Sequence, residues 1–197
     1  MKRLFDIVFS ITGIFILLPF FAIIGVFILS ESKGSIFYKQ LRVGKNSKDF
    51  YIYKFRTMVV GADKEGLLTI GNNDKRITKT GYFLRKYKID ELPQLFNVLL
   101  GTMRGVGPRP EVRKYVNGYT TEEKKILTIK PGITDYASIE YSNENELLAN
   151  STDPEKTYVH EIMPAKLKLN INYLKTQNML TDVKIILKTL LKITSKV

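Results

Sequence analysis

The 197-residue chain contains no cysteine and a single histidine. Thiol nucleophiles, disulfides and cysteine-ligated zinc are therefore excluded, and so is any histidine-rich metal centre. A Ser/His/Asp triad would depend wholly on His160, which lies in no HExxH pattern and is expected at the surface or in ordinary packing. No GK[ST] follows a glycine-rich loop, no GxGxxG fingerprint is present, and no nucleic-acid-binding motif or internal repeat is found. Acid is also scarce relative to base: 31 lysines and arginines against 19 aspartates and glutamates leave a formal charge of +12. The expected partners are anionic, whether phosphorylated small molecules, lipid headgroups or nucleic acid. At 44% hydrophobic the chain can bury a core, and its length fits one domain plus an attachment.

The attachment is the apolar run from Ile7 to Leu29, preceded by Lys2 and Arg3 and followed by Glu31-Ser32-Lys33-Gly34. It matches the roughly 20 residues that span a bilayer. It lacks a small-residue cleavage site and is longer than a signal-peptide core, so a retained anchor is expected. Pro19 near its middle predicts a kink. Asp6 can stay at headgroup level or pair with Arg3. A kinked spanning helix and a bent helix that enters and leaves on one side both fit. Basic neighbours at both ends favour the second, re-entrant form. Residues 1–33 are thus expected to form the membrane anchor and residues 34–197 a separate domain.

Beyond Gly34, Ser35 to Met58 has the pattern of a β-hairpin turning at Gly44-Lys-Asn-Ser. Gly61 to Asn73 is polar and predicts a loop with a helical turn, and Gly81 to Arg85 predicts a short helix with a basic end. Asp90 is placed to cap the next helix, with Pro93 in its first turn and Gly101 ending it. Such a cap would favour the ionised carboxylate. Thr120 and Glu123 have capping-box spacing for a helix to about Ile129. Ser142 to Asp153 is expected to be a polar loop, Asp153-Pro154 to start a helix and Pro164 to break or restart it. Thr181 to Ile193 is amphipathic, with Lys184, Lys188 and Lys192 along one stripe. It suits either an interfacial helix or one packed on the core.

The densest chemistry lies in RKYKIDELPQLFNVLLGTMRGVGPRP, Arg85 to Pro110. Asp90 and Glu91 are adjacent and so suit divided labour, one attacking phosphorus or binding metal while the other moves a proton or orients a partner. Arg85 lies just upstream, and the loop Pro108-Arg109-Pro110 would present a planar donor fork to phosphate. Lys54 and Arg56 on the second hairpin strand form a further cationic candidate.

That run, with YKFRTM before it, KPGIT after it and KRLFD opening the anchor, resembles the monotopic phosphoglycosyl transferases of bacteria, also called bacterial sugar transferases, in their minimal single-domain form. The resemblance extends over nearly the whole chain and implies an α+β fold. A re-entrant membrane helix broken at Pro19 would precede a small, mainly helical domain with a β-hairpin and amphipathic interfacial helices. It also implies transfer of a sugar 1-phosphate from a UDP-sugar to undecaprenyl phosphate, releasing UMP, as the first membrane step of capsule, O-antigen, exopolysaccharide or glycoprotein-glycan assembly. Asp90 would be the nucleophile and sit near Mg²⁺, with Glu91 assisting the lipid phosphate or the metal. Arg85, Arg109, Pro108 and Pro110, and more weakly Lys54 and Arg56, would contact phosphate or nucleotide. The expected setting is the cytoplasmic face of the inner membrane, in contact with phospholipid, without nucleic acid, and with a homo-oligomer left open. The chain departs from the family's commoner pattern at four places: Leu18 before Pro19, Lys88, GTMR at 101–104 and GITDY at 132–136. The competing readings are a membrane-attached binder of anionic lipid or nucleic acid without catalysis, and a phosphatase acting on prenyl diphosphates.

Overall fold

The computed structural model describes residues 2–62 and 74–194. Most of the expected loop Gly61–Asn73 lies outside the described residues. The fold is a mostly helical α+β arrangement with a long N-terminal apolar helix, an antiparallel hairpin and a small parallel sheet.

Helix α1, Lys2–Glu31, runs as one 30-residue element with Pro19 inside it. At 1.5 Å per residue it is about 45 Å long. It is long and apolar enough to cross a membrane by length and composition. Its apolar residues divide between two faces. Phe21 and Ile28 are buried, whereas Phe15, Val26 and Leu4 stand more than half exposed. The buried face packs on the domain: Phe21 meets Phe55 edge-on at 5.1 Å between ring centres and Phe96 at 6.2 Å.

Strands β1 (Phe37–Val43) and β2 (Asp49–Phe55) form the expected hairpin, Phe37 opposite Phe55 and Val43 opposite Asp49. Arg56, just beyond β2, donates to the carbonyls of Lys33 and Ser32, each at 2.6 Å, and so ties the end of α1 to the hairpin. Helix α2 (Lys79–Lys86) is capped by Thr78, whose hydroxyl accepts from Gly81 N–H. Helix α3 (Gln94–Leu100) ends at Gly101, as expected, in the left-handed conformation. Asn97, buried on α3, donates to the Tyr51 carbonyl and accepts from the Tyr53 N–H, fixing α3 against β2.

Strand β3 (Arg104–Val106) pairs in parallel with β4 (Gly132–Thr134), a sheet too short for any alternation of residue types to reveal. Arg104 N–H donates to the Pro131 carbonyl at 2.8 Å, and Gly132 N–H to Pro108 at 3.1 Å. The GPRP loop is thereby fastened to the KPGIT segment. A β-carbon on Gly132 would collide with the Gly107 backbone, so this close approach requires glycine.

The remaining helices are α4 (Arg113–Val116), α5 (Tyr136–Glu140), α6 (Glu144–Ala149), α7 (Pro154–Thr157), α8 (Met163–Thr176) and α9 (Met179–Thr194). The capping box at Thr120 forms in both directions: Thr120 N–H donates to Glu123 at 2.7 Å, and Glu123 N–H to the Thr120 hydroxyl at 3.3 Å. The segment it caps is a 3₁₀ helix, Glu123–Thr128, rather than a longer α-helix. Asp153 caps α7, and Pro164 falls in the first turn of α8, after a π-helical stretch at Tyr158–Ile162. The chain between Ser142 and Asp153 is not the loop expected from its polarity. It contains α6, whose Leu148 is almost fully buried in the main core with Val116, Ile162 and Leu167. One well-placed leucine outweighed a polar composition.

Asp6 is buried and pairs with Arg104 (3.5 Å) and the Gly105 N–H (3.1 Å), not with Arg3. Arg3 instead donates to the carbonyls of Val98 and Leu99 at the C-terminal end of α3. Those carbonyls lie in the last turn of α3 and carry the negative end of its dipole, which competes well for a guanidinium. Arg104 also reaches Asp182 of α9 (3.5 Å). That carboxylate takes Lys2 at 2.9 Å and the Tyr173 hydroxyl at 2.7 Å. Charges from α1, β3 and α9 thus meet in one buried knot.

Candidate active site

Asp90 and Glu91 lie on a 3₁₀ turn, Ile89–Glu91, and not at the cap of α3, which begins after Pro93. Lys88 enters the turn in the left-handed region, at φ 57° and ψ 20°. Ile89 and Leu92, three residues apart, pack against the cluster of Phe21, Ile28, Phe55 and Leu84. Anchoring those two side chains aims the intervening carboxylates at a cleft of about 520 Å³. Lys54, Arg85, Lys88, Asp90, Glu91 and Arg109 all line it.

Glu91 is the hub of the ion pairs. Arg109 grips it with both terminal nitrogens, Nη1 donating to Oε2 at 2.8 Å and Nη2 pairing with Oε1. Lys54 Nζ donates to Oε1 at 3.2 Å. The fork geometry fits a bidentate guanidinium–carboxylate pair. Burial alone would raise the Glu91 pKa, but Arg109 and Lys54 together hold it well below the usual glutamate range. Asp90 goes the other way. Burial, then the neighbouring Glu91 charge, raise its pKa, with Lys54, Lys88 and Arg85 opposing. The expected helix-cap stabilisation of its ionised form is absent because the turn carries too few aligned peptides and Asp90 precedes α3 by a full turn. Burial lowers the pKa of both Lys54 and Arg85.

The Arg109 loop is held by Asp135 and by Arg42. Its backbone N–H donates to Asp135 Oδ2 at 3.1 Å. Asp135 is fully buried and also caps α5 through the Ser138 N–H at 2.6 Å. Arg42 donates to the Pro110 carbonyl at 3.3 Å and to Glu111 at 2.8 Å. Pro110 lines the cleft, while Pro108 faces a small neighbouring pocket. Arg56 is not brought to the cleft, since its guanidinium holds the end of α1. His160 is exposed and away from it. Pro19 lies within α1, where Phe9, Gly13 and Leu17 supply an apolar wall of the same cleft.

Asp135, Arg42 and Glu111 were not singled out from sequence. Asp135 had a signal, since aspartate is a favoured helix N-cap. Arg42 had none, because a hairpin cation looks the same whether it faces water or a loop.

No group of three or more histidine, cysteine, aspartate or glutamate side chains suited to hold a metal occurs among the described residues. With Glu91 engaged by two cations, Asp90 is the carboxylate left to meet one. That fits Mg²⁺, which commonly takes one or two carboxylates and completes its shell with substrate phosphates and water.

Comparison of the chain with known proteins shows its family. The family model for bacterial sugar transferases matches residues 1–196, and the chain belongs to that family. It is 44% identical over 121 residues to a Bacillus subtilis protein named as a putative undecaprenyl-phosphate N-acetylgalactosaminyl 1-phosphate transferase, covering 61% of this chain and 68% of the relative. An Aeromonas hydrophila UDP-N-acetylgalactosamine-undecaprenyl-phosphate N-acetylgalactosaminephosphotransferase is 34% identical over 96% of this chain and 42% of its own length. A Klebsiella pneumoniae UDP-glucose:undecaprenyl-phosphate glucose-1-phosphate transferase is 34% identical over 97% and 39%. The chain therefore spans about two fifths of the latter two relatives.

Proposed function

We propose that the protein transfers a sugar 1-phosphate from a UDP-sugar to undecaprenyl phosphate, through a phosphosugar ester on Asp90. The carrying observation is that a single cleft holds the buried carboxylates Asp90 and Glu91, a set of cations that includes Lys54, Arg85, Lys88 and Arg109, and an apolar wall from α1. A soluble nucleotide sugar needs the cations. A polyprenyl phosphate needs both a cation for its head and an apolar path for its tail.

In the first step an Asp90 oxygen attacks the phosphorus that bears the sugar. The bond from that phosphorus to the bridging oxygen breaks, and UMP leaves with the bridging oxygen. In the second step a phosphate oxygen of the lipid attacks the same phosphorus, and the Asp90 carboxylate is expelled. A carboxylate whose pKa is raised by burial is a stronger nucleophile once ionised. Arg109 and Lys54 steady non-bridging oxygens while Glu91 sets their positions. Arg85 and Lys88 complete the cationic side of the cleft. Asp90 is the residue that would hold Mg²⁺, and the ion would supply charge neutralisation at the phosphates.

The membrane arrangement follows the same reading. Helix α1 enters one leaflet and returns, bending about Pro19, so that Asp90 rests at the inner membrane's cytoplasmic surface, where nucleotide sugars are found. On α9, Leu180, Val183, Leu187 and Leu191 form an exposed apolar stripe beside Lys184 and Lys188, suited to lie in the headgroup region. Relatives named for N-acetylgalactosamine and for glucose bracket the donor class.

The test is UMP release from UDP-sugars with Mg²⁺ and undecaprenyl phosphate, together with intact mass after incubation with donor alone. The adduct and UMP are expected from wild type, and neither from Asp90→Asn. An adduct on another residue, or undiminished turnover by Asp90→Asn, refutes the mechanism.

A further inference from the structure

Part of the cleft wall takes no role in the ion pairs around Asp90. It comes from α5 and α8, where Ser138 and Asn170 line the cavity. Asn170 is 4% exposed, and its Oδ1 is buried without a hydrogen-bond partner among the described residues. The Ser138 hydroxyl oxygen is in the same condition. Buried amide oxygens are rarely left unsatisfied, and one facing a cavity is matched to what enters it. A phosphate oxygen is itself an acceptor, so the Asn170 amide oxygen is not suited to phosphate. An amide oxygen accepts only and requires an O–H or N–H donor, while the hydroxyl serves either way.

Two connections fix this pair relative to the reacting centre. Asp135 holds the backbone N–H of Ser138 with one oxygen and that of Arg109 with the other. One turn before Asn170 on α8, Lys166 donates to Glu144 at 2.6 Å, and the Glu144 charge acts on Arg109. Ser138 thus adjoins the phosphate-gripping loop, and Asn170 lines the same cavity. In a nucleotide sugar the glycosyl group is attached directly to the phosphorus under attack, whereas the base is separated from it by the second phosphate and the ribose.

We infer that Asn170 and Ser138 form the subsite that reads the sugar ring of the donor, accepting from a ring hydroxyl or acetamido N–H and thereby selecting among UDP-sugars. The inference rests on the function proposed above.

Donor selection by Asn170→Leu and Ser138→Ala tests it. The full chain, in nanodiscs with undecaprenyl phosphate, is assayed against UDP-glucose, UDP-galactose and their N-acetylated counterparts. Inhibition by UDP, which has no sugar, is measured in parallel. The expected result is a loss of roughly 10- to 100-fold in kcat/KM for the preferred donor, a flattened ranking of donors and unchanged inhibition by UDP. A donor ranking that stays as in wild type overturns the subsite. So does UDP inhibition that weakens in step with every donor, which would assign the pair to the nucleoside. If Asn170→Leu fails to melt cooperatively, Ser138→Ala and Asn170→Ser decide by the same criteria. A wild type that releases UMP from no donor removes the underlying function, and the subsite with it, an outcome distinct from an active enzyme with unaltered preference.

Discussion

Neutralising either member of the Asp90-Glu91 pair should move stability in opposite directions. Glu91 is 11% exposed in its side chain and compensates Arg109 and Lys54, whose side chains are 32% and 17% exposed. Glu91→Gln removes the negative charge and leaves two neighbouring cations facing an amide. Breaking a buried ion pair by removing one partner costs about 3–5 kcal/mol. Arg109 opens partly to the cleft, so solvent screening puts the cost near the lower end, about 3 kcal/mol. In a chain of this size that is a fall in melting temperature of about 6–12 °C. Asp90→Asn removes a charge that burial and Glu91 already disfavour, so the folded state should be as stable as wild type or more so. Thermal melting of both variants in one nanodisc preparation checks the contrast. The double variant Glu91→Gln/Arg109→Met should recover part of the loss, giving a coupling of at least about 1 kcal/mol. A Glu91→Gln protein that melts within a degree of wild type, or a strictly additive double variant, refutes the assignment of Glu91 as the hub.

Lys88→Gly should relieve the left-handed strain ahead of the Ile89–Glu91 turn and raise stability by about 1 kcal/mol, while lowering the rate of UMP release through loss of a cleft cation; unchanged melting would contradict the strain. Gly132→Ala should separate β3 from β4, releasing the Arg109 loop, with kcat/KM falling at least tenfold even if the protein still folds; retained activity would show that the sheet does not set the loop. Chelation of divalent cations should stop turnover yet leave the melting temperature of the donor-free protein unchanged, because the described residues supply no multi-carboxylate cage; a large shift would reveal a structural metal.

The sequence made some of this architecture legible and hid the rest for definable reasons. Hairpin, long apolar helix, capping box and the glycine stop at Gly101 are short-range features, written in neighbouring residues. The β3–β4 pairing and the Asn97 bracket join residues far apart, and three-residue strands leave no periodic trace. At the site, Asp90, Glu91, Arg85, Lys54 and Arg109 could be picked out because carboxylates amid cations are unusual, and the structure gathers them. Arg56 had the same composition cue and serves instead as a strap, since residue type does not reveal which carbonyls lie within reach. The departures from the family pattern show this best. Thr102 bonds to Asn97 at the end of α3, Arg104 joins the buried knot and Asp135 braces the Arg109 loop. As letters they marked only difference.

That knot of Lys2, Asp6, Arg104 and Asp182 has an implication for how the chain matures. Its contributors come from α1, β3 and α9, so the circuit cannot close until α9 has left the ribosome. Until then, Arg104 can meet Asp6, but Lys2 and Arg104 both lack the Asp182 carboxylate. Deleting α9 would accordingly harm the seating of the first helix more than any loss of apolar contact at the far terminus would foretell.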